Sequence, residues 1–305
     1  MTWHPRQLAQ QTGRTFVITG ANSGIGLEAA RDLSARGGHV VLAVRDLAKG
    51  RAAAAQVGGR TSVVELDLSD LDSVAACAEH LHAEHGSLHS LICNAGVMGG
   101  PYLLTAQGFE RQMATNHLGH AALTTALWPL LHAAGGRVVV VSSLAARSGR
   151  LTAGTTREEL VEPGSAYDGK QVYSNTKQAN LMFALELHRR AGAAGSPVGA
   201  VAVHPGVSAT NLFARQLEDG GRSVLAPLSK VVTKVALQSA AAGALPTLRA
   251  LDHTTPSGAF LGPSRLGQVR GKPELLDVYH CAKDPATASR LWALTEDVLG
   301  VPLPV

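Results

Sequence analysis

The stretch "TFVITGANSGIG", residues 15–26, decides how this chain is read. A short β-branched run, TFVIT (15–19), passes without a break into a turn carrying Gly20, Gly24 and Gly26. A segment of helical period follows, so the glycines sit where a strand ends and a helix opens. Glycine lets the backbone turn sharply and approach a ligand closely, and a helix N-terminus offers unpaired N–H groups to an anion. Asn22, Ser23 and Ile25 fill the loop between those glycines. A strand–turn–helix of this kind is the context in which a glycine-rich turn binds a dinucleotide pyrophosphate. Taken alone it is equally an ordinary βα turn.

Working outward, the same rhythm repeats. The runs 39–44, 62–66, 88–93, 137–143 and 198–205 are apolar on both faces, as strands of a parallel sheet covered on each side must be. Helical candidates lie between them at about 24–36, 46–57, 70–85, 108–134 and 171–193. This alternation predicts an α/β fold with a doubly wound parallel sheet. Beyond residue 206 a loop or short helix (207–229), a helix (230–251), a last strand (258–263) and a final helix (284–298) are expected. There is no Pro-, Gly- or Ser-rich linker and no repeat, so 1–305 reads as a single domain. Segments 146–170 and 207–229 have weak periodicity and read as loops over a substrate site.

Composition narrows the function. The 305 residues are 45% apolar with a net charge of +4, and the cations are scattered without any run of five like charges. That excludes an evident nucleic-acid surface. Three cysteines, with no CxxC spacing, argue against a disulfide framework or a zinc site and suit a reducing cytosol. No apolar stretch of about 18 residues occurs, so no membrane span is expected. His80, His82, His85 and His89 invite a metal reading, but their offsets spread them around a helix and no metal is expected.

With GxxxGxG spacing, "TGANSGIG" (19–26) resembles the short-chain dehydrogenase/reductase family, whose fold is of the Rossmann type. Further elements follow in that family's order: Asp67–Leu68 after the third strand, "CNAG" (93–96) with Asn94, Ala95 and Gly96, and "TNHLGH" (115–120) with Asn116. "VVVVSSLAA", "YSNTK" (173–177) and "HPGVSAT" (204–210), the last with Pro205, Gly206, Ser208 and Thr210, complete the series. The stretches around 94–120 and 173–187 look most like the retinol dehydrogenase and protochlorophyllide reductase branch. Cys93 stands where the family usually has an asparagine. The resemblance implies that Asp67 and Leu68 contact the adenine, and that the segment 204–210 holds the nicotinamide amide.

Within "YSNTK", Tyr173 and Lys177 lie one helical turn apart on one face. A free phenol, with a pKa near 10, is a poor base at neutrality, and a nearby ammonium would favour the phenolate. The resemblance implies that Ser143 orients the substrate oxygen, Tyr173 passes the proton and Lys177 also binds the nicotinamide ribose. It further implies that Asn116 holds a water linking Lys177 to solvent. Taken singly, Ser143 is a polar strand end and Asn116 a helix side chain with a backbone partner. A second pair, Tyr167 and Lys170, sits in loop-like surroundings with no stable helix to aim it.

The second strand ends "LAVRDLAKG". Arg45 stands where a cation would meet a 2′-phosphate, whereas Asp46 reads as the N-cap of the next helix. NADP(H) is therefore expected ahead of NAD(H). The expected function is carbonyl–alcohol interconversion on a largely apolar small molecule in the cytoplasm, with a homodimer possible by analogy. A dinucleotide-binding redox sensor without catalysis, or an isomerase or dehydratase on the same fold, remains an alternative.

Overall fold

The computed structural model describes residues 3–207 and 238–305. Its sheet has eight strands in the order β3-β2-β1-β4-β5-β6-β7-β8. These are β1 Thr15–Thr19, β2 His39–Val44, β3 Thr61–Glu65, β4 Ser90–Cys93, β5 Arg137–Val141, β6 Gly199–Val203, β7 Phe260–Arg265 and β8 Arg270–Leu275. All neighbours are parallel except β7 and β8. The chain winds outward first to one side of β1 and then, from β4, to the other. The crevice at the carboxyl ends of β1 and β4 is the switch point where such sheets bind ligands.

Alternation along each strand divides the core into two layers. Val17, Val41, Leu91, Val138 and Val140 face one layer with Phe183, Leu187 and Trp292; Ile18, Leu42, Ile92, Val139 and Val141 face the other with Ala29, Leu33 and Leu248. On the second side lie α1 (Gly24–Ala35), α2 (Leu47–Val57) and α9 (Ala240–Ala250). The first carries α3 (Leu71–Glu84), α5 (Gly119–Ala126), the 25-residue α8 (Gly169–Ala193) and α10 (Pro285–Leu299). Both faces are covered, which is why the strands read as continuous apolar runs. The expected single-domain, doubly wound α/β fold is what the chain adopts.

Four departures have physical causes. The helix expected over 108–134 is broken into α4 (Arg111–Met113), a π turn (Ala114–Leu118), α5 and α6 (Trp128–Ala134). Pro129, lacking an N–H, can only start the last of these. The antiparallel β8 carries Pro273, Gly271 and charged residues on an edge exposed at most positions, so it had no apolar signal. The loop expected over 146–170 contains α7 (Arg157–Val161), held by a Thr156–Glu159 capping box, and two short 3₁₀ turns. α8 also begins earlier than expected, at Gly169, because Asp168 caps it through the N–H groups of Lys170 and Gln171. Lys170 is therefore helical. Most of 207–229, and the first part of the helix expected over 230–251, lie outside the described residues.

Candidate active site

The phosphate-loop candidates converge where β1 ends. Gly20 has φ +66°, and a Cβ there would come to 3.0 Å from Cβ of Ala95, so the turn tolerates only glycine. Gly26 is buried, and a Cβ on it would meet Nδ2 of Asn94 at 2.5 Å. Ser23 is the N-cap of α1 but makes no capping bond with its side chain. The first-turn N–H groups of α1 have no intrahelical acceptor and point into the crevice.

From there a cavity of about 890 Å³ runs along the sheet's carboxyl edge. Gly20, Asn22, Ser23, Gly24 and Ile25 line one end, and Asn94, Ala95 and Gly96 the floor. Ser143, Tyr173, Lys177, Pro205 and Gly206 line the far end. Its length, glycine-lined turn and helix N-terminus fit a nicotinamide dinucleotide. Asp67 and Leu68 do not line it, although Ser69 does. Leu68 is buried beneath Gly119, where a side chain would strike the Leu68 carbonyl. Asp67 accepts from the N–H and hydroxyl of Ser69 (2.9 and 2.6 Å) and faces Arg45 at 3.8 Å. Ser208 and Thr210 lie outside the described residues.

At the end of β2, Arg45 is 71% exposed and lines the cavity beside Lys49. Asp46 caps α2, accepting from the Lys49 N–H at 3.0 Å while its other oxygen meets Lys49 Nζ at 3.0 Å. Its carboxylate is engaged as the cap that the sequence suggested.

Around Tyr173 the polar groups are buried and closely held. Ser142 turns inward and donates to the Lys177 carbonyl (2.7 Å), which leaves Ser143, whose hydroxyl accepts from the Ala145 N–H (3.2 Å), to face the cavity beside Tyr173. Lys177 is 4% exposed; its ammonium donates to the Val141 carbonyl at 3.1 Å and lies 5.7 Å from the Tyr173 ring centre. Burial pulls Lys177 down to about 8 and pushes Tyr173 up to about 12, with Ser143 opposing the latter. The expected lowering of the phenol by the lysine is thus corrected: desolvation outweighs it in this environment.

Asn116 sits in the π turn with both amide hydrogens engaged. Oδ1 accepts from the Val97 N–H (2.7 Å), while Nδ2 donates to the Val97 carbonyl (2.9 Å) and to Thr176 Oγ1 (3.0 Å). Both amide hydrogens are thus committed, while Oδ1 keeps a second lone pair. Tyr167 is placed apart from this group: its hydroxyl accepts from Gln112 and donates to the Gly100 carbonyl, tying the loop after Gly96 to the start of α8. The four clustered histidines also separate. His82 meets the Ala126 carbonyl, His85 packs edge-on against His39, and Nδ1 of His89 accepts from the Thr15 N–H.

Next to the serine and tyrosine a smaller recess of about 260 Å³ is lined by Met98, Leu144, Ala145 and Val207, with Lys170 and Ser174 at its side. Met98 and Leu144 carried no sequence signal, because single apolar residues in loops have no period to betray them.

The sequence pattern describing "short chain dehydrogenase" matches residues 14–154. Retinol dehydrogenase 12 of Mus musculus is 36% identical over 96% of this chain and 88% of its own length. Retinol dehydrogenase 13 of Homo sapiens is 34% identical over 96% and 86%. A crystal structure of a putative uncharacterized protein from Mycobacterium paratuberculosis is 40% identical, covers 100% of both chains and superposes with a TM-score of 0.82. With the glycine turn, the serine and the tyrosine–lysine pair gathered on one cavity, this chain belongs to the short-chain dehydrogenase/reductase family, in its retinol dehydrogenase-like branch, and is an NAD(P)-dependent oxidoreductase.

Proposed function

We propose that the protein interconverts a carbonyl and an alcohol on a largely apolar small molecule, with NADP(H) as the preferred nicotinamide cofactor. The observation that carries this is the apolar recess opening directly onto Ser143 and Tyr173 at the end of the dinucleotide-sized cavity. When bound, the nicotinamide supplies or accepts the hydride. Ser143 orients the substrate oxygen, Tyr173 gives that oxygen its proton in reduction, and Lys177 holds positive charge beside both. A phenol pushed up to about 12 keeps its proton near neutrality, which suits the donor's role in reduction. Met98, Leu144, Ala145 and Val207 exclude water and reward apolar bulk. Asn94, Ala95, Gly96, Pro205 and Gly206 would cradle the cofactor together with the turn at Gly20–Gly26.

The NADP(H) preference is supported by Arg45 and Lys49 at the cavity rim and by the engagement of Asp46 as a helix cap. NAD(H) remains the alternative cofactor. No helix among the described residues is long and apolar enough to cross a membrane. A panel of ketones, aldehydes, alcohols and short keto acids, followed by nicotinamide absorbance with both cofactors, tests the reading. Neutral apolar carbonyls should turn over best. Tyr173→Phe should lower that turnover at least about 100-fold while cofactor titration stays intact. Turnover of keto acids alone would refute the apolar substrate, and an active Tyr173→Phe the mechanism.

A further inference from the structure

We propose that His120 is a positioning residue of this active site, and that its ring locks the cofactor-cavity floor to the π turn bearing Asn116. The inference rests on the catalytic reading above. His120 is 1% exposed and lies four residues after Asn116. Its Nδ1 is 3.0 Å from the Asn116 carbonyl and its Nε2 is 2.8 Å from Thr19 Oγ1. The facing groups that can carry charge are Lys177 and His117. Burial holds His120 neutral, down to about 3, so its ring has one proton to place.

Valence settles the direction of every bond. A carbonyl can only accept, so the proton is on Nδ1 and points at Asn116. Nε2 is then an acceptor and must take the Thr19 hydroxyl proton, although the Ile92 carbonyl stands 3.4 Å from the same oxygen. With its single proton committed, Thr19 Oγ1 presents its lone pairs to the N–H groups of Asn94 and Ala95, both at 2.9 Å. Those residues form the floor of the dinucleotide cavity. The Asn94 amide returns 2.8 Å to the Thr19 carbonyl, closing the turn on β1.

A chain of hydrogen bonds of fixed polarity therefore runs from the cavity floor through Thr19 and His120 to the Asn116 carbonyl. His120 thereby fixes one lone pair of the Asn116 carbonyl.

His120→Phe keeps the ring's bulk but removes both nitrogens. It should lower kcat about tenfold or more with substrate KM within about threefold, as a misplaced but intact site does. NADPH affinity, read by fluorescence, should weaken about threefold because the floor is no longer anchored. His120→Gln offers a donor and an acceptor in the same order and should restore both. A Phe variant matching the wild type would overturn the proposal. So would equal losses in the Phe and Gln variants, which describe packing alone. If His120→Phe does not fold, Thr19→Val and Thr19→Ser decide by the same readings, serine being spared and valine impaired; equal behaviour overturns it. Absence of carbonyl turnover in the wild type would count against the functional reading, and the cofactor titrations would then judge His120 by themselves.

Discussion

Replacing Lys177 with methionine should make the protein more stable at neutral pH while abolishing turnover. The ammonium is buried and, among the described residues, donates one hydrogen bond, to the Val141 carbonyl. Burial lowers its pKa from 10.5 to about 8, which corresponds to about 3 kcal/mol of differential cost for the charged form. Methionine fills similar space without charge. The lost hydrogen bond returns about 1 kcal/mol, and Val141 O keeps a donor in Asn180 Nδ2 at 3.2 Å. The net gain is about 2 kcal/mol, or about 3–5 °C in Tm for a chain of this size.

The pH dependence has a definite sign. Below pH 8 both folded and unfolded lysine are protonated and the wild type bears the whole cost. Between 8 and 10.5 the unfolded chain binds the extra proton, so wild-type stability rises with pH; the mutant's advantage shrinks and reverses once the remaining cost falls below the about 1 kcal/mol of the lost hydrogen bond. Scanning calorimetry of both proteins from pH 6 to about 10.5 measures it. A mutant less stable than the wild type at pH 7, or a Tm difference that does not change across that range, would refute the argument that desolvation dominates at Lys177.

Arg45→Ala should weaken NADPH more than NADH. A charged hydrogen bond is worth about 1.5–3 kcal/mol, and the 71% exposure places the loss near the lower limit, about tenfold in a fluorescence titration. Equal losses for both cofactors would remove Arg45 from 2′-phosphate recognition. Gly206→Ala should destabilise by at least about 1–2 kcal/mol, because φ is +70° and the new methyl would strike the Val269 carbonyl; thermal melts and weaker cofactor binding should report it together. Trp292→Ala, which empties a 2% exposed site stacked on Phe183, should cost about 3–5 kcal/mol in a urea titration. The substrate KM of that variant should not move, since Trp292 lines neither cavity.

The parallel sheet was legible because buried strands such as HVVLAV announce themselves as apolar runs bounded by turns. Gly20, Ser143, Tyr173 and Lys177 were legible because their motifs occur in sequence order, and the structure gathers them on one cavity. What escaped had no periodic signal. The π turn at Asn116 leaves the apolar pattern of its helix nearly unchanged, and β8 hides behind Pro273 and its charges. Thr19 and His120 were invisible as partners because 101 residues separate them and only the β1–β4 crossover brings them together. The direction of the Lys177 and Tyr173 shifts was equally hidden. Pairing could be read from an i,i+4 spacing, but burial is a property of everything packed around the pair.

The packing of α10 on α8 has a consequence for how the chain is made. Leu291, Trp292, Leu294 and Val298 complete the same core layer as Phe183 and Leu187, and Thr295 supplies the partner of His117 at 3.0 Å. Yet α10 is synthesised roughly ninety residues after α8, about 5–20 seconds later at ordinary elongation rates. During that interval the helix bearing Tyr173 and Lys177 already exists, with its apolar side open to water. The nascent chain thus passes through a stage in which every residue of the proposed proton path has been made but the wall behind it has not. A ribosome-stalled chain ending before residue 285 should accordingly bind a hydrophobic-surface chaperone, and release it once Trp292 has emerged and docked.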